Sequence, residues 1–207
     1  MTKKIPFIIV AILSVLISLL TFTYYIICQQ EFNLLQNKTV LIQNSLAWKI
    51  AFYTHIFFGS IALLIGWIQF VSKWRVQKIN LHRTVGKIYV VSVLFSSIAG
   101  LGIGIFATGG WIAVLGFITL GLIWFYSTFK AYSSIRAGKI ENHKKWMIYS
   151  YAICFAAVTL RIWLPILIIV FGEFLMAYRI VAWLCWIPNL LVGYFIINKK
   201  KSSTQIA

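Results

Sequence analysis

The chain has 207 residues but only three acidic ones, Glu31, Glu141 and Glu173, with no Asp. The carboxylate pair of most glycoside hydrolysis is therefore not at hand, nor is an all-carboxylate cage for calcium or magnesium. Cys28, Cys154 and Cys185 show no zinc or redox spacing, and no Ser/His/acid set suits nucleophilic hydrolysis. The informative chemistry lies in the string Thr159-Leu-Arg-Ile-Trp-Leu-Pro165. Arg161 cannot shed its proton. Pro165 has no N–H, so the carbonyl of Arg161 loses its helical donor. A kink, an acceptor and a fixed cation on one segment point to binding of an anion or polar ligand. The alternative is an arginine that snorkels to the nearest membrane surface.

These residues must be positioned by membrane helices. The composition is 61% hydrophobic and 11% charged, whereas a soluble domain is about a quarter charged. A bilayer core takes about 20 apolar residues per helix, and six stretches qualify: about 5–27, 50–71, 88–106, 111–129, 146–170 and 177–197. The expected fold is an all-α membrane protein, one transmembrane helical domain over 1–207 with a basic tail at 198–207. The first stretch exceeds a signal-peptide core and lacks a small-residue cleavage site, so it reads as a retained helix. Gly109-Gly110 and Phe171-Gly172-Glu173 make tight turns between spans. The formal charge of +16 could suggest nucleic acid, but its distribution does not. Lys3 and Lys4, the 73–87 and 130–145 connections and Lys199–Lys201 all fall on one side of six alternating helices. Lys38 and Lys49 are left in the loops of the other side. This positive-inside pattern predicts cytoplasmic termini in an inner membrane, with the basic loops on anionic lipid and no nucleic-acid partner.

Arg161 lies about 15 residues into the fifth span, roughly 22 Å from its cytoplasmic edge. A charge there costs at least about 2.5–3.5 kcal/mol. His55 lies at a similar depth in the second span, and Asn189 follows Pro188 in the sixth. Arg161, His55, Asn189, Trp163 and Trp186 are the expected ligand-binding residues, His55 joining only if the second and fifth spans are neighbours. His55 and Asn189 could instead be satisfied within the bundle. His82 and Arg83, and His143 and Lys144, immediately precede the third and fifth spans as read here. Free N–H groups at those helix starts would suit a lipid phosphate or a haem propionate; the alternative is an interfacial anchor with Trp146 at headgroup level. Arg179 reads as structural, reaching water or Glu173. Small or polar faces recur as His55/Gly59/Ala62/Gly66/Gln69, Ser96/Gly100/Gly104, Ser150/Cys154/Ala157/Arg161 and Ala182/Trp186/Asn189/Gly193, and such faces pack against other helices in membranes.

The ordered set His55-Ile-Phe-Phe-Gly59, Leu64-Ile-Gly-Trp-Ile-Gln-Phe70, His82-Arg-Thr-Val-Gly86-Lys-Ile-Tyr89, His143-Lys-Lys-Trp-Met147, Arg161-Ile-Trp-Leu-Pro165 and Trp183-Leu-Cys-Trp-Ile-Pro-Asn-Leu190 resembles the bacterial domain-of-unknown-function-2306 family. The resemblance covers about 51–195 and implies a polytopic membrane protein without assigning a reaction. The His-x-x-x-Gly strings at His55/Gly59 and His82/Gly86 also resemble four-helix cytochromes b, in which the glycine admits a flat macrocycle. Bis-histidine ligation needs two histidines at one depth; His82 and His143 alone could supply one inner haem b. The expected function is binding or transport of an anionic or amphiphilic small ligand in an outer-half cavity. A b-type haem redox protein and a membrane scaffold or assembly factor are the alternatives. Membrane lipids are the expected partners, and a homo-oligomer is left open.

Overall fold

A computed structural model describes residues 4–27, 42 and 44–204. Cys28, Glu31, Lys38 and Lys3 lie outside the described residues. In chain order the elements are α1 (Lys4–Phe22), a π turn (Thr23–Ile27), α2 (Leu46–Gly66), a 3-10 turn (Trp67–Phe70), α3 (Ser72–Gln77), α4 (Ile79–Gly104), α5 (Trp111–Arg136), α6 (Ile140–Cys154), α7 (Ala156–Phe171), α8 (Phe174–Leu184) and α9 (Ile187–Thr204). Together they make six segments long and apolar enough to cross a membrane: Ile5–Tyr25, Leu46–Phe70, Ile79–Gly104, Trp111–Arg136, Ile140–Phe171 and Phe174–Lys199.

Several helices begin earlier than hydropathy places them. Ser45 caps α2, its hydroxyl accepting from the Trp48 N–H at 3.3 Å, so the helix starts ahead of Ile50. The third span starts at Ile79 and the fifth at Ile140, because residues such as Arg83, Lys87, Glu141, Lys144 and Lys145 are good helix formers even where they are too polar for lipid. Helix ends follow the glycines. Gly172 adopts φ 66° and donates its N–H to the Ile168 carbonyl, the left-handed cap that lets the chain reverse into α8.

Two compact units are present, Met1–Thr108 and Gly109–Ala207. In the first, α2 packs on α4 and α1 on α2. The inner face is small and hydroxylic: Ser18, Ser60, Ser92, Ser96 and Ser97 are buried, and the Ser18 hydroxyl donates to the Ser60 carbonyl at 2.6 Å. A Cβ on Gly59 would come within 3.0 Å of Ser96 Oγ. In the second unit α5 packs on α6 and α8, α7 on α8, and α6 on α9. Its seam is Ala113, Gly116, Ser127, Thr128 and Ala131 against Ala182 and Ser150. A Cβ on Gly116 would stand 2.8 Å from the Ala182 carbonyl oxygen, so α5 and α8 are in backbone contact there. Large apolar side chains face outward in both units, as at Ile12, Phe95 and Ile169, the last 82% exposed. Hydroxyls inside and isoleucines outside is the arrangement lipid selects, since lipid solvates the apolar surface and buried hydroxyls bond across helices.

The first unit's spans depart from α-helix only at their ends, in the π turn Thr23–Ile27 and the 3-10 turn Trp67–Phe70, but two spans of the second unit are interrupted midway. The fifth breaks at Phe155 and the sixth at Cys185–Trp186. The kink expected at Pro165 is not where the helix is interrupted; α7 runs through that proline.

Candidate functional site

The break in the sixth span follows from Pro188. It has no N–H to offer the carbonyl of Leu184, and among the described residues no backbone bond from outside the helix takes its place. Asn189 does not fill that gap. Its Nδ2 donates to the Cys185 carbonyl at 2.9 Å and to Thr159 Oγ1 at 3.1 Å, while the Thr159 hydroxyl donates to the same Cys185 carbonyl. One backbone acceptor at the interruption thus receives a donor from each of the two broken spans. Trp186 is buried beside it, with Nε1 donating to Ala182 O at 2.8 Å.

Below this break, toward the Gly172 end, α8 and the start of α9 line a groove of about 680 Å³. Trp183, Leu184, Ile187 and Pro188 line it with other apolar side chains, and Arg179 and Glu173 are its charged lining residues. The volume falls within the range of about 300–1,000 Å³ typical of small-molecule sites. Arg179 is held by one bond, Nε to the Gly109 carbonyl at 2.8 Å, which leaves its two terminal nitrogens for another partner. Glu173 is not its salt-bridge partner; the recorded ion pair among the described residues is Lys144–Glu141, at 2.6 Å. Trp183 Nε1 donates to the Ile112 carbonyl at 3.1 Å, so two bonds fix the groove wall to the start of α5. Arg179, read from the sequence as structural, lines the groove and also bonds the Gly109 carbonyl. The signal for the groove was Pro188 four residues after Leu184, with Arg179 five residues before that, on a stretch otherwise apolar.

The other expected ligand residues are placed as follows. Arg161 does not reach toward the end of its span. Its Nη1 donates to Ala157 O, four residues back, at 2.8 Å, so the guanidinium turns toward the middle of the membrane segment. Thr159 faces Cys185, and Arg161, two residues on, lies roughly 200° around the helix. Arg161 and Asn189 therefore face different directions within this unit. Trp163 is 38% exposed, and neither it nor Arg161 lines the groove. His55 belongs to the first unit. Its Nδ1 donates to the Ser96 carbonyl at 2.9 Å, and the Ser96 hydroxyl donates to the His55 carbonyl at 2.9 Å.

The expected anion sites at helix starts need correction. His82 and His143 are each the fourth residue of a helix, because α4 begins at Ile79 and α6 at Ile140. Their N–H groups already donate to Lys78 O and Lys139 O, both at 3.0 Å, and an N–H inside the ladder is not available to an anion. His143 Nδ1 donates to Ala131 O at 2.9 Å, and Lys144 pairs with Glu141. Arg83 is exposed on α4. The glycine room expected for a macrocycle is filled by neighbouring side chains: Ser96 stands at Gly59, and Gln69 at Gly86 with Oε1 3.3 Å from an added Cβ. Among the described residues no group of three His, Cys, Asp or Glu could hold a metal ion.

No curated protein and no solved structure matches the chain. The family model described as "Predicted membrane protein (DUF2306)" matches residues 52–197. That match begins just before His55 and runs past the groove and the Asn189 cluster, so this chain belongs to the DUF2306 family of membrane proteins.

Proposed function

We propose that the protein binds, and by extension carries or transports, an anionic or amphiphilic small molecule in the groove along α8 and α9. The observation that carries this reading is an apolar groove with an arginine in its lining. An acyl or isoprenoid body would lie on Trp183, Ile187 and Pro188. An anionic head would accept from the terminal nitrogens of Arg179, a charge-assisted bond. The positive-inside charge pattern supports an orientation with the basic connections in the cytoplasm and this groove in the outer half of an inner membrane. Arg161 is a second cation on the same unit but lies off the groove, with its guanidinium on the Ala157 carbonyl. Trp186 and Asn189 act by fixing the break that shapes the groove, and His55 by holding α2 to α4. Membrane lipids are the surrounding partners and one source of the ligand.

The test is native mass spectrometry with an absorption spectrum on protein purified in mild detergent. The expected result is a retained anionic amphiphile whose affinity falls about tenfold in Arg179→Gln. Retention of neutral and anionic lipids alike, unchanged by that substitution, defeats the reading. A Soret band would assign a haem instead.

A further inference from the structure

Glu173 and Arg179 both line the groove, yet they do not pair with each other. Glu173 precedes α8 and its side chain makes no capping bond. Among the described residues its carboxylate has no ion-pair partner, whereas Glu141 is taken by Lys144. Residues six apart on a helix are separated by about 9 Å along its axis and do not face one another. Arg179 is also pinned where it stands. Its Nε donates to the Gly109 carbonyl, and its Cγ lies 3.3 Å from where a Cβ on Gly109 would sit. The two bonds to the start of α5 give the groove an order: Arg179 is level with Gly109, ahead of that helix, and Trp183 with Ile112, inside its first turn. Passing inward from Gly172, the wall therefore presents a carboxylate, then a guanidinium, then Trp183, Ile187 and Pro188. Trp111, beside the Gly109 loop, is 73% exposed, as suits a residue at headgroup level.

We propose, resting on the reading of this groove as a ligand site, that its occupant is an aminophospholipid: an amphiphile whose anionic phosphate carries an ammonium on its outward side. The phosphate accepts from the terminal nitrogens of Arg179, the ammonium donates to the Glu173 carboxylate, and the acyl chains lie along Trp183, Ile187 and Pro188. Both polar contacts are charge-assisted. The order of charges along such a lipid, ammonium then phosphate then chain, is complementary to the order on the wall. Glu173 supplies the discrimination. A lipid with the same phosphate but an uncharged alcohol head satisfies Arg179 and leaves two negative charges side by side, which is the repulsive element that specificity needs.

The experiment titrates the full-length protein in mild neutral detergent with phosphatidylethanolamine and, separately, phosphatidylglycerol of the same acyl chains, and reads bound lipid by native mass spectrometry. The parent is expected to hold phosphatidylethanolamine about tenfold more tightly. Glu173→Gln should bring the two lipids to within about twofold of each other, and Glu173→Lys should reverse the preference. Arg179→Gln should weaken both. Glu173 is exposed and makes no capping bond, so these variants are expected to keep the parent's unfolding midpoint; if Glu173→Gln does not fold, Glu173→Lys carries the readout. A parent that holds phosphatidylglycerol as tightly as phosphatidylethanolamine, or a preference that survives both Glu173 substitutions, overturns the proposal. If Arg179→Gln still weakens both lipids in that case, the groove remains a ligand site and only the ammonium contact is lost. If Arg179→Gln weakens neither, the groove reading itself fails and this inference falls with it.

Discussion

The two units use the same materials to opposite ends. In the first, His55, Ser96, Ser18 and Ser60 bond across continuous helices, and glycine serves to bring those helices together. In the second, the polar residues Thr159 and Asn189 converge on a carbonyl exposed by an interruption, and beside that interruption the surface opens into a groove. Polar side chains in a membrane thus act as glue where the backbone is intact. Where proline has freed the backbone, they hold an irregular shape in place. The contrast also locates the candidate chemistry, since an uninterrupted seam packed by serine and glycine leaves little room for a ligand.

Substitutions can break or sharpen this comparison. The largest effect belongs to Gly116→Leu, because any Cβ there meets the Ala182 backbone at 2.8 Å and α8 would have to move. A loss of about 3 kcal/mol is expected, read as a fall in the detergent unfolding midpoint together with loss of ligand retention. Next is Gly100→Ala in the first unit, whose Cβ would sit 2.9 Å from His55 Nδ1. The ring is fixed by Ser96, so a net cost of about 1 kcal/mol is expected even after the helix-propensity gain, with ligand retention intact. Gly102→Ala, with nothing within 4 Å, should show that gain alone. Thr159→Val removes one bridge between the broken spans and should cost about 0.6 kcal/mol, but it should loosen groove binding more than that stability change implies. A variant that behaved like Gly100→Ala, stability lost and binding kept, would erase the distinction between the units. Lys144→Ala should change stability by less than about 0.5 kcal/mol, since the Glu141 pair is exposed.

Much of the fold was legible because hydropathy and the inward faces rest on composition and helical period. Ala62, Ser96, Ser150 and Ala182 are all fully buried as their seams require. The fourth span's own seam was not read, although Ala113, Gly116, Ser127, Thr128 and Ala131 share one helical face; bulky apolar residues within 117–120 interrupt the run of small ones, and the contacts with Ala182 and Ser150 show the face. Helix starts were placed late because hydropathy reports lipid solubility, not helix formation, which is why His82 and His143 were expected at free N-termini. At the site, Pro188 and Asn189 signalled an irregularity correctly in kind. The partner of Asn189 was not readable, because Thr159 lies thirty residues away and only packing brings the two together. Arg161 was conspicuous for its cost, yet Arg179 shares the groove; charge in a span attracts notice, while placement beside a cavity depends on neighbouring helices.

The most direct measurement is photocrosslinking in native membranes from a benzophenone side chain placed at Ile187, which lines the groove, and in a parallel protein at Ile169, which is 82% exposed and lies outside it. Enrichment of one class of anionic amphiphile at Ile187, against bulk lipid composition at Ile169, is the predicted result. Identical adducts at both positions would contradict it and leave the groove as ordinary lipid-facing surface.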